Sequence, residues 1–249
     1  MDNNTGRKKE MTGLILAGGR GTRLRPHTEE IPKPLLEVGG KAILEHQIET
    51  LFENGISQII IITGFLENSI KIFIEQKFSG KQIQCVHNKD FETSRPAYGL
   101  IQALPFINED TIYLNGDVFY DPKILSLVIS QEGSATAIQK TPWDEEEVNV
   151  VINNNFVTVL SKNLTEKESS GEFIGVTKLS KEFINSLKEI ISREGAEVFR
   201  HSFAIDLLNH VIHTTVNKIK AIDVTDHKAI EIDTPEDLEN ARDKFKIHG

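Results

Sequence analysis

From Thr12 onward, short apolar runs alternate with helical patterns, and few architectures other than a parallel sheet covered by helices accommodate that alternation. Leu14-Ile15-Leu16-Ala17 reads as a short buried strand that runs into glycines. Over Lys41 to Asn54, Leu44, Ile48, Leu51 and Phe52 recur at helical spacing while Glu45, Glu49 and Glu53 take the other face, as in an amphipathic surface helix. Gln58 to Thr63 is a β-branched run without alternation, as expected of a strand buried on both faces. A helix over Glu67 to Phe78, a strand over Gln82 to His87 and a helix over Ala97 to Leu104 follow. The strand Thr111 to Leu114 ends at Asn115-Gly116-Asp117, and Asp121 with Pro122 supplies the cap and first residue of the next helix.

Beyond residue 133 the character changes. Ser134 to Lys140, Val148 to Ile152 and Phe156 to Ser161 read as strands, with Asn153-Asn154-Asn155 as the turn of a hairpin because asparagine tolerates left-handed backbone. Glu172 to Leu179 is another strand, Lys181 to Arg193 and Phe203 to His213 are helices, Val216 to Ile222 is a strand, and a last helix follows Pro235. The expected organisation is one domain over 11–249, with a nucleotide-binding half over about 11–133, an acceptor-binding half over about 134–230 and a metal segment with a closing helix over 231–249. Residues 1–10 read as a disordered tail.

With 249 residues, 28 Lys plus Arg against 37 Asp plus Glu and a net charge of −9, the chain lacks the basic excess that nucleic-acid binding requires. Its longest aliphatic run, Ile59 to Ile62, falls far short of the roughly 20 apolar residues of a spanning helix, so no membrane role is expected. A single cysteine, Cys85, excludes an internal disulfide framework, fits a reducing compartment and reads as core; the cytoplasm is the expected location. His210 and His213 share a helix without a metal-ligand pattern.

Four segments carry chemistry. Leu16-Ala17-Gly18-Gly19-Arg20-Gly21-Thr22-Arg23-Leu24 follows the first strand directly; its glycines let backbone N–H groups approach an anion, and its arginines add charge. It ends without the Gly-Lys-Ser/Thr of a P-loop, and alone it also fits a solvated turn. In Ile31-Pro32-Lys33-Pro34-Leu35 the prolines stiffen the backbone around a lysine, which suits a phosphate-neutralising cation as well as a surface turn. Asp117 sits just past a buried strand, where the crevice of a parallel sheet opens and a carboxylate can hold Mg²⁺, although Asn-Gly-Asp is also common turn chemistry. In Ile230-Glu231-Ile232-Asp233-Thr234-Pro235-Glu236-Asp237, a strand start puts Glu231 and Asp233 on one face, and Thr234 with Asp237 caps the helix that follows.

In this order and spacing, the segments resemble the sugar-phosphate nucleotidyltransferases, or pyrophosphorylases, most specifically from Leu14 to Leu51. Within that family the chain looks most like the phosphocholine cytidylyltransferase branch. The C-terminal Glu231–Leu238 segment, Ser161-Lys162 with Gly171-Glu172-Phe173-Ile174-Gly175, and Thr93–Gly99 in place of the sugar enzymes' Leu-Gly-Thr element all point there. The branch's usual asparagines near Arg95-Pro96 are absent, which leaves the acceptor open.

The resemblance implies an α/β fold: a Rossmann-like three-layer sandwich with a mostly parallel mixed central sheet and a small acceptor-binding β/α part. It implies transfer of CMP from CTP to a small phosphate or phosphonate, with release of pyrophosphate. The alternatives are a uridylyl-, thymidylyl- or guanylyltransferase for a sugar 1-phosphate and a non-catalytic nucleotide-binding relative. Arg23 and Lys33 would be catalytic, and Leu16 to Thr22 with Asn88 would bind the nucleotide. Asp117, Glu231 and Asp233 would hold Mg²⁺, with Mn²⁺ as a substitute, and Lys162 and Glu172 would meet the acceptor. A homodimer is one oligomeric form compatible with it.

Overall fold

The computed structural model describes residues 10–246; most of the N-terminal tail, residues 1–9, lies outside them. Within them thirteen strands and seven helices follow one another. The first half comprises β1 (Met11–Leu16), β2 (Glu37–Val38), β3 (Lys41–Ala42), α1 (Ile43–Glu53), β4 (Gln58–Thr63), α2 (Glu67–Phe78), β5 (Gln82–His87), α3 (Pro96–Ala103), β6 (Asp110–Asn115), β7 (Val118–Tyr120) and α4 (Pro122–Ile129). The second comprises β8 (Ser134–Gln139), β9 (Asn149–Asn153), β10 (Phe156–Ser161), β11 (Gly171–Leu179), α5 (Lys181–Glu194), α6 (Ala204–Thr214), β12 (Ile219–Asp223), β13 (Ala229–Glu231) and α7 (Pro235–Lys244).

Nine strands form one sheet in the order β5-β4-β1-β6-β11-β8-β12-β10-β9. The run β5-β4-β1-β6 is parallel. From β11 the sheet is mixed, and β9 pairs with both β10 and the first residues of β11. The apolar runs of β1 and β4 are buried on both faces for the reason their sequence implied. Leu14, Ile60 and Ile62 point into a core shared with α3, α5 and α6, while Ile15, Ile59 and Ile61 point into one shared with α1, α2 and α4. The result is the expected three-layer α/β sandwich.

Local chemistry sets several boundaries. Asp121 caps α4, its side chain accepting from the Lys123 N–H. Asn154 and Asn155, at φ 49° and 66°, turn the β9–β10 hairpin. The first helix begins at Ile43 rather than Lys41, because Lys41 and Ala42 pair with Val38 and Glu37. The strand expected from Val216 begins at Ile219, and Val216 is almost fully exposed. Cys85 is half-buried, since β5 is an edge strand.

A third, smaller core decides where the chemistry sits. Leu24, Leu36, Val38, Ile43, Phe119, Ile232, Leu238 and Ala241 pack together, joining the glycine loop, the Pro-Lys-Pro turn, β7, β13 and α7. The antiparallel pair β7–β13 sets Val118 opposite Glu231, so two segments far apart in sequence meet at the C-terminal end of the parallel strands.

Candidate active site

The glycine loop leaves β1 at Leu16 and tightens into a 3₁₀ turn over Thr22–Leu24, with the Leu24 side chain buried beneath it. Gly21 has φ +59°, and a Cβ there would crowd Lys33 Cβ at 3.1 Å, so loop and lysine lie directly against each other. The N–H groups of Gly18, Gly19, Arg20 and Gly21 find no acceptor among the described residues. A run of backbone donors left open in this way is a cradle for phosphate oxygens. Behind it, Gly116 donates its N–H to the Leu16 carbonyl at 3.0 Å, and any side chain at Gly116 would strike that carbonyl.

Lys33 opens a second 3₁₀ turn after Pro32, and its ammonium reaches Asp117 Oδ2 at 2.9 Å and Asp233 Oδ1 at 2.5 Å. The Lys33 side chain is only 10% exposed. Burial works to lower its pKa, but the two carboxylates outweigh that and hold it above the ordinary lysine value. The reciprocal balance acts on Asp233: burial pushes its carboxyl up, while Lys33 and then Arg23 pull it below the usual aspartate range. Arg23 donates to Asp233 Oδ2 and stands 3.6 Å from Glu146. Downstream, the Asp237 carboxylate accepts from the Asp233 and Thr234 N–H groups at 3.0 and 2.7 Å, completing the expected capping box of α7 and fixing the segment that carries Asp233.

Oxygens of Asp117, Glu231 and Asp233 all lie within 4.8 Å of one another. The Glu231 carboxyl is pushed well above its ordinary pKa by burial and then by the charges of Asp117 and Asp233. Asp117 Oδ1 is buried and accepts no hydrogen bond from the described residues. Three carboxylates converging with a buried, unpartnered oxygen are a donor set suited to a hard divalent cation such as Mg²⁺.

A cleft of about 300 Å³ joins these groups. Leu16, Ala17, Gly18, Gly19, Gly21, Thr22, Arg23, Lys33, Asn88, Asp117 and Asp233 line it among the residues singled out in the sequence. Four others do not. Arg20 turns toward Glu92 and lies 5.9 Å from the Phe65 ring centre, and Glu231 sits behind the wall. Lys162 donates to the Glu146 carbonyl, and Glu172 accepts from Thr141 Oγ1 at 2.8 Å. Asn88 lines the cleft with its amide engaged: Oδ1 accepts from the Asp90 N–H and from Gln102 Nε2, and Nδ2 donates to Ser94. Its hydrogen bonds shape the 88–94 turn that places Phe91, Ser94 and Arg95 on the cleft wall. The sequence pattern reads Glu147 as part of a solvated acidic loop over Asp144 to Glu147, yet its carboxyl is pushed up to about 7 by burial and then by Glu172. Its setting in a run of exposed acids gave no sign of partial burial.

Comparison with known proteins shows the family. The nucleotidyl transferase family model matches residues 12–167. The bifunctional protein GlmU of Methanococcus maripaludis is 30% identical over 191 residues, 76% of this chain but only 44% of that protein, so the chain spans less than half of that relative's length. The UTP–glucose-1-phosphate uridylyltransferase AglF of Haloferax volcanii is 26% identical over 95% of this chain and 97% of its own. The CMP-5'-(3-aminopropyl)phosphonate synthase of Streptomyces rubellomurinus is 27% identical over 73% of this chain and 29% of its own. Among solved structures, the CTP:phosphocholine cytidylyltransferase LicC of Streptococcus pneumoniae shares the fold at a TM-score of 0.78 and 20% identity, covering 95% of this chain and all of that one. The chain belongs to the nucleotidyl transferase family.

Proposed function

We propose that the protein transfers CMP from CTP to a small phosphate or phosphonate, with release of pyrophosphate and with Mg²⁺ as cofactor. The observation that carries this reading is the convergence of the buried Lys33 ammonium and the Arg23 guanidinium with three carboxylates at the mouth of a loop of open N–H donors. An acceptor phosphate oxygen attacks the α-phosphorus; the P–O bond to the β-phosphate breaks, and its electron pair leaves with pyrophosphate. Because the second pKa of a phosphate monoester is about 6, the nucleophile is already ionised and needs no general base. The barrier is repulsion between two polyanions, so catalysis reduces to in-line positioning and charge neutralisation.

The open N–H groups of Gly18 to Gly21 cradle the triphosphate, and Lys33 and Arg23 exchange carboxylate partners for phosphate oxygens and hold the departing pyrophosphate. Asp117, Glu231 and Asp233 are the residues that would hold Mg²⁺, which would supply positive charge at the reacting phosphates. The 88–96 wall faces the nucleoside; Lys162, whose charge reaches Asp233, and Glu172, whose charge reaches Glu147, are the residues we assign to the acceptor.

The choice of cytidylyl transfer rests on the likeness of the Ser161-Lys162, Gly171–Gly175 and Glu231–Leu238 segments to the phosphocholine cytidylyltransferase branch, and on the phosphonate-linked relative. A panel of five nucleoside triphosphates against phosphocholine, aminoethylphosphonate, glycerol phosphate and several sugar 1-phosphates, read by pyrophosphate release, tests it. CTP with an alkyl phosphate or phosphonate is the expected pair. Turnover only with UTP and a sugar 1-phosphate would replace this reading with one closer to AglF, and binding without any turnover would make the chain a nucleotide-binding relative.

A further inference from the structure

Gln47 is a fully buried polar side chain on α1 that the proposed chemistry does not use. Its Nε2 donates to the Asn115 carbonyl at 2.8 Å and to the Val118 carbonyl at 2.9 Å. Both neighbours are pure acceptors, so only the amide nitrogen can face them. The Oε1 atom is buried and accepts nothing among the described residues. An apolar side chain of that size would fill the space but take the donor from both carbonyls, so the glutamine serves the turn rather than packing alone.

The two carbonyls bracket Gly116-Asp117, the turn that carries a candidate metal carboxylate. Among the described residues the other bonds to the backbone of that turn come from the backbone, Gly116 N–H to the Leu16 carbonyl and Ile232 N–H to the Asp117 carbonyl, both at 3.0 Å, while the Asp117 carboxylate accepts from Lys33. Gln47 is therefore the side chain that closes the turn from the α1 side, while β1 and the segment after β13 close it from the others.

We infer that Gln47 is a positioning residue for Asp117, clamping the Asn115–Val118 turn so that the carboxylate meets Glu231 and Asp233. The inference rests on the proposed metal role of Asp117. Partners one step removed from a metal ligand typically contribute 10- to 100-fold in affinity.

The test is Mn²⁺ binding to the purified chain, followed by electron paramagnetic resonance of the free ion, with melting curves for every variant. Asp117→Asn should weaken Mn²⁺ binding, and Gln47→Met should weaken it by about 10-fold or more. The double variant should lose no more than Asp117→Asn alone. Leu51→Ala, a buried substitution on the same helix, should lower the melting temperature while leaving Mn²⁺ affinity unchanged. If Gln47→Met does not fold, Gln47→Asn, which shortens the amide's reach, gives the same reading. Wild-type Mn²⁺ affinity in a folded Gln47 variant, or an equal loss in Leu51→Ala, overturns the inference. Unchanged binding in Asp117→Asn would instead remove the metal reading of that residue, a result the other variants cannot imitate.

Discussion

Carboxylates in and near the cleft titrate in opposite directions. Beside the glycine loop, Asp233 is ion-paired with the buried Lys33 and with Arg23 and its pKa falls, whereas its neighbour Glu231, more deeply buried and without an ion pair among the described residues, rises. Farther out, Glu147 and Glu172 are likewise partly buried without an ion-pair partner within 4 Å among the described residues, and their pKa values rise. The residue type is nearly the same; the difference is whether a cation forms an ion pair with it. A carboxylate held ionised next to an ammonium is ready to exchange that ammonium for metal and phosphate. One pushed toward the neutral form is a stability cost that grows with pH.

Four substitutions can break or sharpen that contrast. Asp117→Ala should reduce kcat by at least about 10³-fold, the scale of losing a group that stabilises transition-state charge. Its melting temperature should stay close to wild type, because relief of repulsion with Glu231 offsets the lost partner of Lys33. A large fall in melting temperature with activity retained would make Asp117 structural. Lys33→Met should cost about 10²- to 10³-fold in kcat/KM. It should also cost about 3–5 kcal/mol of stability, since three clustered carboxylates lose their buried cation. That destabilisation should shrink in melts run at acidic pH, where the stranded acids take up protons.

Arg23→Ala separates the two cations: it should lower kcat/KM about 10²-fold. Being 54% exposed, Arg23 should contribute less than about 1 kcal/mol to stability, read by urea titration. The smallest effect belongs to Glu147→Gln. In the folded chain Glu147 takes up its proton near pH 7 rather than at the ordinary value of 4.5, so folding carries no penalty from it below about pH 4.5. The penalty grows between the two values and is complete above the upper one. The variant should therefore melt a few degrees above wild type at pH 8 and level with it near pH 4.5. The opposite slope would show that Glu147 has a cation partner. For Asp233 the sign reverses: its lowered pKa stabilises the fold above the ordinary aspartate value, and that contribution is lost as pH falls through the lowered one.

Where local chemistry decides the backbone, the sequence was readable. The doubly buried runs of β1 and β4, the Asp121 and Thr234 caps and the Asn154-Asn155 turn all follow from spacing and side-chain type. The short pair β7–β13 was not readable, because Val118-Phe119-Tyr120 and Ala229-Ile230-Glu231 are too brief to show a period and pair only through distant contacts. Among the site residues, Lys33, Asp117 and Asp233 could be named individually, but their direct contacts depend on that pair. The raised pKa of Glu147 and the clamp at Gln47 arise entirely from tertiary burial, to which a pattern of charges and spacings is blind.

The pairing of Val118 with Glu231 joins positions 113 apart in sequence (231 − 118). Bringing such distant partners together is among the slower events in folding, because chain entropy is lost before the contact repays it. A polypeptide emerging from the ribosome would thus seat Leu24 of the glycine loop and gather its acidic trio only after the strand at 229–231 and the helix behind it have docked. The acidic trio, on this order of events, is among the last features of the fold to form.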